Sequence, residues 1–285
     1  MTLASFTSIN WFTPIYVLAL YGLVRYIARP RLAESNQADA KYIHWTPIES
    51  VAVGLLIYFA GQFGGVVLAL FIPRLWGLDG SQVISWMEHN VLGQFITILL
   101  VEAVSVGLLW GFIRRRRSSW QALGLKLPKW RDVGYVLIGF GVYFVAAIVF
   151  LQIAKLLFPN IDANQQQQIG FDGASGIQLV PVFISLVILP ALVEELLVRG
   201  FMYGGLRKGL NKYAAALITS ALFGIAHLQA GFGSPLLWVA AIDTFVLSLV
   251  LIYLKEKTGS LAASIGLHML KNTLAFLSLF VFAVG

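Results

Sequence analysis

Cysteine is absent from the 285 residues, which excludes disulfides, a thiol nucleophile and any thiolate metal site. Charge is scarce as well: 12% of the chain is Asp, Glu, Lys or Arg, against roughly a quarter in soluble domains. Neither His-Glu-x-x-His nor Gly-x-Ser-x-Gly occurs, so two common hydrolase types are disfavoured. There is no internal repeat of fixed length, and no polar insert long enough to fold by itself. What remains is apolar: 59% of residues are hydrophobic and the mean hydropathy is +0.82. The composition is that of a polytopic, all-α integral membrane protein.

A helix crosses the ~30 Å hydrocarbon core in about 20 residues, and the apolar runs number about eight on that measure. They extend from Ile9 to Ala28, Ile48 to Ile72, Asn90 to Phe112, Val133 to Phe158, Ile177 to Gly200, Tyr213 to Gln229, Pro235 to Leu254 and Leu261 to Ala283. The expected architecture is a single helical membrane domain over residues 1–285. The first run lacks a basic start, has a long apolar part and is followed by Arg25, Arg29 and Arg31, so it reads as a retained helix and not a cleavable signal.

The net charge of +7 is explained by orientation. Arg25, Arg29, Arg31 and Lys41 follow the first run. Arg114 to Arg117, Lys126, Lys129 and Arg131 follow the third, Arg207, Lys208 and Lys212 the fifth, and Lys255 and Lys257 the seventh. The alternate loops hold only Arg74 and Lys155. The positive-inside rule then places the basic loops in the cytoplasm and both termini outside. Arg114 to Arg117 reads as an anionic-lipid anchor, and no nucleic-acid partner is expected. Residues 118–132 mix Trp120, Trp130, leucine and basic side chains, as a scaffolding segment lying at the cytoplasmic interface would. Gly61-x-x-x-Gly65 and Gly200-x-x-x-Gly204 permit close helix approach, expected within the bundle and not between copies. The oligomeric state is not legible.

Two carboxylates and an arginine interrupt the fifth run, in Pro190-Ala-Leu-Val-Glu194-Glu195-Leu-Leu-Val-Arg199. Such charges cost several kcal/mol each in lipid unless they are paired or line a wet cavity. Positions i and i+4 share a helix face, so Glu195 pairs with Arg199 while Glu194 points elsewhere, free to act as a base. Pro190 removes a backbone bond to the preceding turn and loosens the helix there. Phe223 and His227 lie one turn apart on the sixth run, as do His268 and Asn272 on the eighth. Singly, such residues are more often packing groups or interhelix glue than catalysts. At the helical rise, Glu194, His227, His268 and Asn272 lie roughly 12 to 22 Å in from their basic ends, close enough in height to meet. A carboxylate and an imidazole that take a proton from water, with further donors for an oxyanion, suit hydrolysis of an amide or ester.

Glu194-Glu195-x-x-x-Arg199, Phe223-x-x-x-His227 and His268-x-x-x-Asn272, in that order on successive helices, resemble the three motifs of the CAAX protease and bacteriocin-processing (CPBP, Abi) family, which includes the type II CAAX prenyl endopeptidases. The resemblance covers residues 177–285, a family-like catalytic core. It implies an intramembrane endopeptidase acting on a membrane-associated, prenylated CAAX or leader-type peptide or protein. Carried over by position, Glu194 with His227 activates water, His268 and Asn272 form the oxyanion hole, and Glu195, Arg199 and Phe223 support the site. No cofactor is expected. A zinc set of Glu194, His227 and His268 is the alternative, disfavoured because asparagine is a poor zinc ligand and a good oxyanion donor. Two other readings stand beside the protease: a proton-coupled transporter that adds Glu102 and Asp243 as relay groups, and a non-enzymatic membrane immunity or scaffold protein.

Overall fold

The computed structural model describes residues 42–162, 169–228 and 236–282. The chain is an integral membrane protein, and its described part is a bundle of helices. Its elements are α1 (Pro47–Phe71), α2 (Gly80–His89), α3 (Val91–Arg115), α4 (Trp130–Leu157), α5 (Gly176–Leu206), α6 (Lys212–Ala226), α7 (Trp238–Thr258) and α8 (Ala262–Val281). Among the described residues, six helices are long and apolar enough to span a membrane: α1 with its extension to Leu75, α3, α4, α5, α7 and α8.

Of the eight expected runs one, from Ile9 to Ala28, lies outside the described residues, and within them two differences appear. Helix α6 has only 15 residues, or about 22 Å at the helical rise, short of the hydrocarbon thickness. Helix α2 was not expected at all. A ten-residue helix forms there because Asp79 accepts from Gln82 N while the Gln82 side chain accepts from Asp79 N, a reciprocal cap satisfying two orphan donors. The same device starts α1, with Thr46 and Glu49 exchanging bonds and Pro47 at the first helical position. Asn90 and Asn211 cap α3 and α6 through single side-chain oxygens.

Helix α5 is central. It packs against α1 and α3 on one side and against α6, α7 and α8 on the other, with α4 beyond α7 and α8. The small residues set the spacing: a Cβ on Gly61 would collide with Ser105 Oγ at 1.9 Å, and one on Gly65 with Val101 Cα at 2.4 Å. The first small-residue motif therefore joins α1 to α3 within one chain. On α5, a Cβ at Gly200 would meet Leu123 at 3.0 Å.

That last contact revises the place of the interfacial segment. Trp120–Leu123 is a single 3₁₀ turn with Ala122 and Leu123 buried, so it is inserted into the core and not laid on the membrane surface. Gly124, at φ 86°, ends the turn, and its carbonyl accepts from Leu261 N at 3.0 Å. Trp120 stacks on Trp110 of α3 with ring centroids 4.9 Å apart. Trp130, in contrast, is exposed.

Candidate active site

Helix α5 is not a regular α-helix. Ile184–Ile188 and Glu195–Tyr203 are π-helical, separated by the α-helical turn Leu189–Glu194. Widened turns of this kind recur at functional sites, and here they bracket Pro190 and begin at the carboxylate pair. Carbonyls in both π stretches accept from side chains of other elements. Asn272 Nδ2 donates to Leu186 O at 3.1 Å, Lys255 Nζ to Arg199 O at 2.5 Å and Trp45 Nε1 to Phe201 O at 3.3 Å. The carbonyls of an irregular intramembrane backbone thereby find partners inside the protein, where alone such backbone is tolerated. Lys255, counted from sequence among the loop cations, is thus a tie between α7 and α5.

The two carboxylates occupy different environments. Glu195 is fully buried, and its Oε1 is 2.9 Å from Nη1 of the equally buried Arg199. The pair is close but poorly aligned: Glu195 Oε2 and the three guanidinium nitrogens make no hydrogen bond among the described residues. Its attraction is one of charge, reinforced by the Arg199 guanidinium lying 4.2 Å above the Phe223 ring, a cation–π contact of the desolvated kind. Glu194, one residue earlier, retains 30% side-chain exposure.

His268 of α8 sits between them. Its Nδ1 is 3.1 Å from Glu195 Oε1, and its Nε2 faces Glu194 Oε2 at 3.9 Å. The second distance is too long for a direct hydrogen bond but short enough for one water to bond to both atoms. Phe223 ties in α6, its ring edge-on to His227 at 4.6 Å and to His268 at 6.4 Å. His227 is not inside its helix, as expected from the run to Gln229, but caps it: the helix ends at Ala226, and His227 N turns back to Gly224 O. Its Nδ1 lies 2.8 Å from Phe223 O. Since a carbonyl only accepts, a proton resides on Nδ1, which in the neutral ring leaves Nε2 as an acceptor.

Glu194, Glu195, Arg199, Phe223, His227 and His268 are therefore linked by contacts among three helices, and Asn272 stands one turn beyond His268 against α5. Sequence reasoning missed the Glu195–His268 contact, which makes Glu195 a hub and not only the partner of Arg199. Nothing in a linear spacing encodes a bond across 73 residues. It also missed the cleft beside the site. A cavity of about 420 Å³ runs between α3 and α5, lined by Glu102, Val106, Trp110, Trp120, Leu189 and Val193 among others. Glu102 and Tyr58 are within electrostatic reach of Glu194. Asp243 lies in a different setting, hydrogen-bonded by Tyr143 Oη at 2.5 Å and paired with Lys271 Nζ at 3.1 Å. Among the described residues, no group of three or more His, Asp or Glu side chains is gathered as a metal site.

Residues 176–274 match the family described as type II CAAX prenyl endopeptidase Rce1-like, and that stretch contains all three motifs. The uncharacterized protein YyaK of Bacillus subtilis (strain 168) is 30% identical over 156 residues, covering 53% of this chain and 48% of YyaK. The chain thus spans about half the length of that curated relative. No solved structure matches.

Proposed function

We propose, from the match of residues 176–274 to the family of type II CAAX prenyl endopeptidase Rce1-like proteins, that this membrane protein is an intramembrane peptide hydrolase in which Glu194 activates the attacking water. The observation that carries the reading is the division of labour between adjacent carboxylates. Glu195 is sealed and engaged by Arg199 and His268, whereas Glu194 is part-exposed and faces an imidazole nitrogen across a gap that one water can span. A carboxylate so placed is a general base.

In the proposed reaction Glu194, with the free Nε2 of His227 as a second acceptor, takes a proton from water as the oxygen adds to the peptide carbonyl carbon. His268 and Asn272 donate to the oxyanion that forms. The C–N bond then breaks, and protonated Glu194 returns the proton to the departing amine. With Nδ1 turned to Glu195 Oε1, donation from Nε2 uses the His268 ring with both nitrogens protonated. Glu195 and Arg199 hold the imidazole in orientation, as a carboxylate does behind other catalytic histidines. The apolar cleft along Leu189 and Val193 supports a membrane-associated substrate, a prenylated or leader-type peptide or protein segment.

The reaction as proposed uses no metal. An asparagine amide suits an oxyanion better than zinc, and Glu194 cannot be both ligand and unencumbered base. Exhaustive chelation is expected to leave hydrolysis unchanged, and purified protein to lack stoichiometric zinc. Loss of activity restored specifically by zinc would decide instead for Glu194, His227 and His268 as ligands. The function itself is tested by comparing protein termini in cells carrying wild-type or Glu194→Gln protein. Termini on membrane-associated or lipidated chains should appear only with wild type; identical termini in both would end the hydrolase reading.

A further inference from the structure

In an α-helix the carbonyl of residue i is taken by the N–H of residue i+4. Residue 190 would be the donor to Leu186 O in an α register and to Ser185 O in a π register, and as proline it can serve neither. The backbone answers locally: Ile184–Ile188 is a π turn, and Leu189 N bonds to Ile184 O, five residues back. The Leu186 carbonyl meanwhile receives Asn272 Nδ2 from α8 at 3.1 Å. Because a carbonyl accepts and never donates, this bond fixes which end of the amide is which: nitrogen toward α5, oxygen away from Leu186. One amide N–H is consumed, and the other is left in a fixed direction. Asn272 also sits one turn from His268, whose ring meets both carboxylates.

We propose that Pro190 is a positioning residue for Asn272: by withholding a donor from Leu186 it keeps a backbone acceptor open, and the Asn272 amide docks there with its second N–H held ready for the substrate. The lock itself follows from the geometry; its kinetic consequence rests on the reading of Asn272 as an oxyanion donor. A hydrogen bond to a developing oxyanion is effective when its donor needs no reorganisation at the moment of reaction. An amide free to rotate would lose that advantage although the same atoms were present. Proline thus contributes through an absent N–H, and the kink it imposes is a separate effect.

These two effects can be separated in the full-length protein in detergent micelles. Pro190→Ala restores an N–H that competes for Leu186 O. Lactic acid introduced at position 190 forms an ester with neither ring nor N–H, and so keeps the acceptor open without the proline kink. With ¹⁵N-asparagine labelling, one slowly exchanging side-chain amide proton, absent from Asn272→Ala, is expected in wild type and in the lactate variant and lost in Pro190→Ala. Kinetics then use a quenched peptide copied from a terminus that depends on Glu194. Removing an oxyanion donor costs about 10²–10³ in kcat; Asn272→Ala should fall in that range, and Pro190→Ala, which keeps the donor but frees it, should fall less, roughly 10-fold, with KM unchanged. The double variant should be no slower than Asn272→Ala. An amide proton and kcat indifferent to Pro190→Ala would overturn the proposal, as would a lactate variant that behaves like alanine, which would assign the effect to the ring. If wild type and Glu194→Gln give the same termini, the hydrolase reading fails, while the amide signal still decides whether Pro190 holds Asn272.

Discussion

Two of the acid–base clusters among the described residues are built differently. In one, Asp243 meets Lys271 at 3.1 Å with Tyr143 on its other oxygen, and the ion pair is a little over a quarter exposed on both sides. One carboxylate there faces one cation. In the other, Glu195 and Arg199 are sealed completely, and a second carboxylate and an imidazole are added to the pair. A balanced cluster is sufficient to join helices α4, α7 and α8. The other leaves Glu194 part-exposed, with His268 across a 3.9 Å gap instead of a cation in direct contact, and that spare carboxylate is the surplus that separates a site from a strut.

The largest expected effect lies at the surplus group. Glu194→Gln keeps the volume but cannot accept a proton, so hydrolysis should fall by at least about 10²–10⁴, with thermal unfolding of the purified protein unchanged. A cleavage rate near wild type would erase the distinction between the clusters. Next comes Glu195→Gln, which strands a buried guanidinium; leaving one partner of a buried pair costs about 3–5 kcal/mol. The yield of folded protein should drop, and Arg199→Met in the same chain should recover part of it. A stable single variant with no recovery in the double would mean that the pair is not coupled. Asp243→Asn is expected to be milder, about 1 kcal/mol or less, because Lys271 keeps access to its surroundings; cleavage should persist. Loss of cleavage there without loss of fold would instead make Asp243 part of the mechanism. The smallest perturbation addresses orientation alone. Ser119→Cys and Asp172→Cys should react with an impermeant maleimide from opposite faces of the membrane, Ser119→Cys from the cytoplasm, and labelling from one face would break the alternation of basic loops.

The sequence by itself determined the class and much of the arrangement. Hydropathy alone required a helical membrane bundle, since 59% hydrophobic residues with 12% charge cannot make a soluble surface. Helical periodicity paired Glu195 with Arg199 and set Phe223 beside His227, because an i,i+4 relation is a property of one helix. Pro190 could be read as a loosening of α5 for the same local reason. Span length was less legible where hydropathy continued past a cap: the run through Gln229 is apolar, but the helix stops at Ala226 as His227 turns back on it.

Only the tertiary structure decided what meets across helices. The bond from His268 to Glu195, the docking of Asn272 on Leu186, the insertion of Leu123 against Gly200 and the cleft between α3 and α5 each depend on how helices are rotated and placed side by side. Those rotations are fixed by close packing at Gly61, Gly65 and Gly200, where missing side chains let backbones approach, and by the π turns that re-aim α5 midway through its length. Periodicity assigns a residue to a face of its own helix; which neighbour that face meets is a property of the packed bundle.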